Sequence, residues 1–178
     1  MTELAREYGD GLYALAVEEG QDTPWLDQLK ILRTCFAEQQ DFLRLLSNMS
    51  LSKEERLSIL DETLRGQIHP YLLNFLKILC EHGAMMEFSG CEEAYRLLYN
   101  RDHGIVEAVV TTAVPLSDTQ RTALQQRLKE MTGKQVTLNE KIDASVMGGV
   151  MLEMNGKRYD NTVAHKLADL RRIIAGED

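Results

Sequence analysis

The chain is expected to be α+β, with an N-terminal six-helix bundle followed by a small C-terminal mixed strand/helix domain. Three observations predict this. Apolar residues recur at spacings of three and four through the first hundred positions. At His103-Gly104 the period drops to two, in the β-branched run Ile105-Val106-Glu107-Ala108-Val109-Val110-Thr111-Thr112. Beyond it, helix and strand signals alternate in short segments. A length of 178 residues admits two small domains, and the change of period puts their boundary between residues 104 and 105.

Leu4, Tyr8, Leu12 and Leu15 place one face of a first helix inward. Thr23-Pro24 predicts the next start, a capping hydroxyl and then proline at the first helical position. Trp25, Leu29, Leu32 and Phe36 form its stripe. A short apolar element follows Asp41, with Phe42, Leu43, Leu45 and Leu46. Ser52-Lys53-Glu54-Glu55 is a capping box ahead of Leu57, Leu60 and Leu64. Pro70 opens a fifth helix with Leu72, Phe75, Leu76 and Leu79, and His82-Gly83 closes it. The sixth is expected over residues 84–102, with Phe88, Cys91, Tyr95 and Leu98 inward.

After the first strand, Ser117-Asp118-Thr119-Gln120 is a second capping box, followed by Leu124, Leu128 and Met131 and closed by Gly133. Three further strands are expected, the last two joined by Asn155-Gly156 as a two-residue hairpin turn. Val163, Leu167, Leu170 and Ile174 predict a final helix.

The net charge of −8 is uneven: residues 1–104 hold 10 Lys and Arg against 18 Asp and Glu, and the remainder is neutral. This disfavours nucleic acid and anionic membrane surfaces as partners and favours a basic protein segment. No apolar run approaches the roughly 18 residues that span a bilayer, so no direct membrane insertion is expected. The first residues read as neither signal nor transit peptide, and a cytoplasmic chain is expected. Cys35, Cys80 and Cys91 lack CxxC spacing and read as buried apolar thiols. The four histidines show no metal-ligand spacing, and no metal or cofactor is expected.

No catalytic pattern stands out. There is no phosphate-binding GxxxxGK and no G-x-S-x-G elbow, and Gly9-x-Gly11 lies inside a helical pattern without a preceding strand. The pairs Glu18-Glu19, Glu54-Glu55 and Glu92-Glu93 point about 100° apart on a helix and read as solvated faces. Three function classes remain open at this point: a connector between proteins, a small helical hydrolase or transferase, and a generic helical adaptor or RNA-binding protein.

The most specific stretch is residues 136–155. Val136, Leu138, Ile142-Asp143 and Val146 lead into Gly148-Gly149, then into alternating Val150, Leu152 and Met154. Gly148-Gly149 itself reads as a bulge or close backbone approach. This stretch resembles the signature of the delta subunit of rotary ATP synthases, the family that includes the oligomycin-sensitivity-conferring protein. Val109 to Leu116, and Asp160 with Thr162-Val163 and Leu167, are similar to the family's flanking elements. At the N-terminus, Tyr8-Gly9-Asp10-Gly11-Leu12-Tyr13-Ala14 departs from the family's run by placing glycine where alanine is usual.

The resemblance implies a non-catalytic stator subunit, present once per complex, peripheral on the cytoplasmic face of the cell membrane. It would join the catalytic head to the peripheral stalk, so that proton-driven rotation is coupled to ATP synthesis. The N-terminal domain, residues 1–104, would bind the N-terminal segment of the alpha subunit in a groove beside the first and fifth helices. Tyr8, Gly11, Leu12, Leu15, Leu76 and Leu79 are the expected contacts. The C-terminal domain, residues 105–178, would meet the end of the stalk's b subunit. Ile142, Asp143, Val146, Gly148, Gly149, Val150 and Asp160 are the signature positions. The alternative function is a generic helical adaptor or interaction protein with no role in ATP synthesis.

Overall fold

The computed structural model describes residues 1–48, 50–154 and 156–162. The expected final helix, with Val163, Leu167, Leu170 and Ile174, and Asn155 of the expected turn lie outside the described residues. Seven α-helices and one four-stranded mixed sheet occur among the described residues, an α+β chain. It divides into two compact units, Met1–Tyr99 and Asn100–Asp178.

In the first unit, α1 spans Glu3–Glu18, and the Thr2 hydroxyl caps it by accepting the Ala5 N–H at 3.1 Å. Its buried face is Ala5, Gly9, Leu12, Tyr13 and Ala16, not the expected stripe. Of that stripe only Leu12 is buried, and Leu4 is exposed. The cause is a seam of small residues against α6, Phe88–Asp102. A Cβ on Gly9 would lie 2.5 Å from both Ala94 Cβ and the Cys91 carbonyl oxygen, and one on Gly90 would lie 2.8 Å from Ala5 Cβ. The helices approach where side chains are smallest, which turns the bulkier stripe outward. Tyr13 meets Tyr95 edge-on beside this seam, with ring centroids 5.1 Å apart.

Helix α2 runs Asp22–Glu38 and begins one residue ahead of Thr23, so Thr23 is not its cap. Gly20, at φ 63°, turns the chain so tightly that Gln21 N–H still bonds Ala16 O at 2.8 Å, and the new helix starts at once. The Thr23 hydroxyl instead bonds the Tyr99 hydroxyl at 3.0 Å. The stripe Trp25, Leu29, Leu32 and Phe36 is buried. In α3, Gln40–Leu46, only Leu46 is fully buried. Helix α4, Lys53–Leu64, carries both bonds of the Ser52–Glu55 capping box, and α5, Pro70–Glu81, starts on proline after His69. The sixth helix is shorter than expected, because residues Met85–Glu87 form a 3-10 turn ahead of it.

Two charges are buried in this unit. Arg56, 6% exposed, donates to Leu46 O at 3.2 Å and Cys80 O at 3.1 Å, the carbonyl ends of α3 and α5. A cation suits both helix termini. Glu92 was expected on a solvated face. It is 1% exposed, bonded to Arg33 at 2.5 Å and near Arg96 at 3.7 Å. Its neighbour Glu93 is not buried, as a 100° step on a helix requires. Cys80 and Cys91 are buried, but Cys35 is exposed.

In the second unit, β1 is Ile105–Thr112, α7 is Asp118–Thr132 and β2 is Gln135–Ile142. The Ser117–Gln120 capping box opens α7, and Gly133, left-handed at φ 66°, ends it. Of the apolar residues at helical spacing on α7, Leu128 is buried and Met131 is exposed. Strands β3, Gly149–Met154, and β4, Lys157–Thr162, complete a sheet of order β2-β1-β3-β4. β1 is parallel to β2 and antiparallel to β3. Met154 pairs with Lys157, so β3 and β4 close a hairpin across Gly156, φ 72°. Val106, Ala108, Val136, Met154 and Leu128 form the core between sheet and helix.

Candidate partner-binding groove

α1 and α5 flank an open groove of about 360 Å³. The α1 side supplies Glu7, Tyr8, Gly11, Leu12 and Leu15. All four residues expected on that helix therefore line it. The α5 side is Tyr71, Asn74, Phe75 and Ile78, not Leu76 and Leu79. Those two leucines are 0% exposed and lie in the core. The reason is helical geometry. Leu72, Leu76 and Leu79 share the inward face of α5, whereas Tyr71, Phe75 and Ile78 repeat at four and three residues on the adjacent one. Both faces of α5 are apolar, and this second stripe was the available signal.

Tyr71 is 39% and Ile78 is 44% exposed, so the lining of this groove places two large, partly apolar side chains on the surface. Tyr8 bridges the two helices edge-on to Phe75, with ring centroids 6.4 Å apart. Behind the groove, Trp25 is fully buried, 5.6 Å from the Tyr71 ring and 5.0 Å from the His69 ring. Gly11 has open space where a Cβ would point. Glu7 is the one acid in the lining, and the Tyr71 hydroxyl reaches Glu19 at 3.5 Å at one end. The surface is thus an apolar trough with acidic edges. It suits an amphipathic helix with basic flanks and holds no constellation for chemistry.

The signature positions make contacts within the second unit. Asp143 accepts the Ser145 N–H at 2.9 Å and caps the 3-10 turn Ala144–Val146. Hydrogen bonds from Ser145 hold its carboxyl below the usual carboxylate range. Val146 is buried. Met147 then adopts φ 59°, rare for a side chain other than glycine. Gly149, at φ 81°, pairs with Thr162, and a Cβ there would run into the Asn161 carbonyl oxygen. Val150 pairs with Thr112 and with Asn161. Asp160 lies within β4 and accepts from the Thr162 hydroxyl at 2.7 Å and N–H at 3.1 Å. Ile142 is exposed at the end of β2.

Among the described residues, no group of three or more His, Cys, Asp and Glu could hold a metal ion. No described helix is long and apolar enough to cross a membrane.

Comparison with known proteins points the same way along the whole chain. A family model described as ATP synthase delta (OSCP) subunit matches residues 4–174. ATP synthase subunit delta of Lactiplantibacillus plantarum is 33% identical over 172 residues, covering 96% of this chain and 94% of that one. ATP synthase subunit delta of Anaeromyxobacter dehalogenans is 32% identical over 177 residues, covering 98% of each. The fold also matches a chain in the cryo-EM structure of the Toxoplasma gondii mitochondrial ATP synthase hexamer, with a TM-score of 0.76, 20% identity and 98% of each chain covered. A near-complete match to the family model, two relatives above 30% identity and a shared fold leave one assignment: the chain belongs to the ATP synthase delta (OSCP) subunit family.

Proposed function

We propose that this chain is a non-catalytic stator subunit. It joins the catalytic head of a rotary ATP synthase to its peripheral stalk, so that proton-driven rotation does work on the head instead of spinning it. Residues 1–104 act as a six-helix bundle that binds the N-terminal segment of the alpha subunit. Residues 105–178 meet the end of the b subunit. One copy serves each complex, held at the cytoplasmic face of the membrane by these partners.

The observation that carries the reading is the groove between α1 and α5. It exposes Tyr71 and Ile78 beside the half-buried Tyr8 and Leu15, along an edge that includes Glu7. A helix laid in such a groove buries a few aromatic and aliphatic anchors, enough for tight binding. Gripping two partners through two units adds avidity. The signature positions serve by shaping the end of the sheet that the second unit presents.

Trp25 reports on the groove through Tyr71. A synthetic peptide of the cognate alpha subunit's first ~20 residues, the length of a recognisable amphipathic helix, should change its fluorescence saturably, and a scrambled peptide should not. Ile78→Asp should abolish the response. Association should slow as salt rises, because acidic edges steer a basic segment. Calorimetry that finds no binding of the alpha peptide would refute the reading and favour an adaptor for other proteins.

A further inference from the structure

β2 forms one edge of the sheet, with β1 on its inner side. The direction of its backbone groups follows from its ends. Gln135 N–H donates to Gly104 O at 3.2 Å, and Asp143 N–H donates to Thr112 O at 2.9 Å, both toward β1. Successive residues of a strand point their backbone groups to opposite edges. The N–H and C=O of Val136, Leu138, Glu140 and Ile142 therefore face outward. Among the described residues, this row meets one donor, the Gln125 side-chain amide on Val136 O at 2.7 Å.

Such an edge is normally blunted by proline, a bulge, short length or charged side chains, and of these β2 carries only Glu140 and Lys141, near its end. β2 has eight residues, no proline, no glycine and an unbroken register from Gln135 to Ile142. At about 3.3 Å per residue this row, from Val136 to Ile142, runs for about 20 Å. Beside its start, α7 and β2 enclose a groove of about 390 Å³ whose lining includes Gln125, Gln126, Lys129, Gln135 and Thr137. Lys129 is the one charged residue in that lining. A polar groove next to unpaired backbone is a poor seat for an amphipathic helix. It is a good one for an extended chain.

We infer that the outer edge of β2 takes up an extended partner segment as a fifth strand, with a carboxylate of that segment opposite Lys129. The identity of the partner rests on the stator reading: it is the C-terminal segment of the b subunit. Main-chain hydrogen bonds to the outward groups supply affinity, and the Lys129 charge selects an acidic register.

The test mixes the full chain with the soluble part of the cognate b subunit, intact or lacking its last ten or so residues, about the length that covers the edge. Amide exchange is read residue by residue. Intact b should slow exchange at Leu138, Glu140 and Ile142 by about tenfold or more, and truncated b should not. Ile142→Pro removes an outward N–H and leaves the β1 ladder intact. It should weaken binding about tenfold, whereas Ile142→Val should not. If the proline variant fails to fold, the exchange result on the unaltered chain decides alone. Binding of intact b with exchange at these amides unchanged would overturn the fifth strand and leave the stator reading standing. Protection that survives the truncation would overturn the assignment to the C-terminal segment. No binding of intact b would overturn the stator reading itself, and this inference with it.

Discussion

Gly9 and Gly11 sit two residues apart on the same helix, and alanine should have opposite effects at the two. An alanine in mid-helix is worth about 0.5–1 kcal/mol over glycine, chiefly through backbone entropy. At Gly11 nothing lies within 4 Å of the added methyl, so the gain should appear in full. At Gly9 the methyl would sit 2.5 Å from Ala94 Cβ and from the Cys91 carbonyl oxygen, about 1 Å inside ordinary contact. One of these is main chain and cannot rotate aside, so α1 must move off α6. Overpacking of this kind costs about 1–3 kcal/mol. The net loss for Gly9→Ala is then about 1–2 kcal/mol, or roughly 5–15 °C in Tm for a unit of this size. Urea and thermal unfolding followed by Trp25 fluorescence measure both variants. Gly11→Ala should melt a few degrees above the parent but bind the alpha peptide more weakly, since its methyl enters the groove. A Gly9→Ala protein that melts at or above the parent would show that the α1–α6 seam has room for a methyl group and is not tight.

Other outcomes follow from the same contacts. Arg56→Met should cost about 2–4 kcal/mol, because the carbonyls of Leu46 and Cys80 lose their donor; urea titration of the full chain measures it. A thiol reagent on the native protein should label Cys35 quickly and leave Cys80 and Cys91 unmodified, since burial raises both thiols and pushes Cys91 up to about 12. Fast labelling of more than one thiol would contradict the buried positions. The hydrogen bond from Arg121 holds Glu140 below the usual carboxylate range. A lowered native pKa means that this contribution is present above the unfolded value of about 4.3 and is lost as pH falls through the native one. Glu140→Gln should therefore flatten the acid limb of the second unit's stability curve, and an unchanged limb would remove the pair as a contributor.

Local signals were legible wherever local chemistry decides the structure. The two serine capping boxes, Pro70 at the start of α5, Gly133 at the end of α7 and the β-branched run of β1 each act within a few residues. Which apolar face points inward was legible in α2 and α6 but not in α1, where it depends on a partner far along the chain. In α1 the core face is chosen by Cys91 and Ala94, more than eighty residues away, which accept only glycine and alanine. In α5 both faces are apolar, so periodicity alone could not separate Leu76 from Ile78. The groove was half legible for this reason. Glu92 was missed on the same ground, since its burial depends on Arg33 from another helix. The strand order β2-β1-β3-β4 also rests on pairings that no short pattern encodes.

The seam of small residues also bears on stiffness. Long side chains between two helices act as soft springs, because each can change rotamer under load. Where Gly9 rests on the Cys91 main chain, little side chain is left to deform. A pull entering through α1 passes into α6 main chain against main chain. Within the first unit, the α1–α6 seam therefore leaves little to stretch when α1 is pulled.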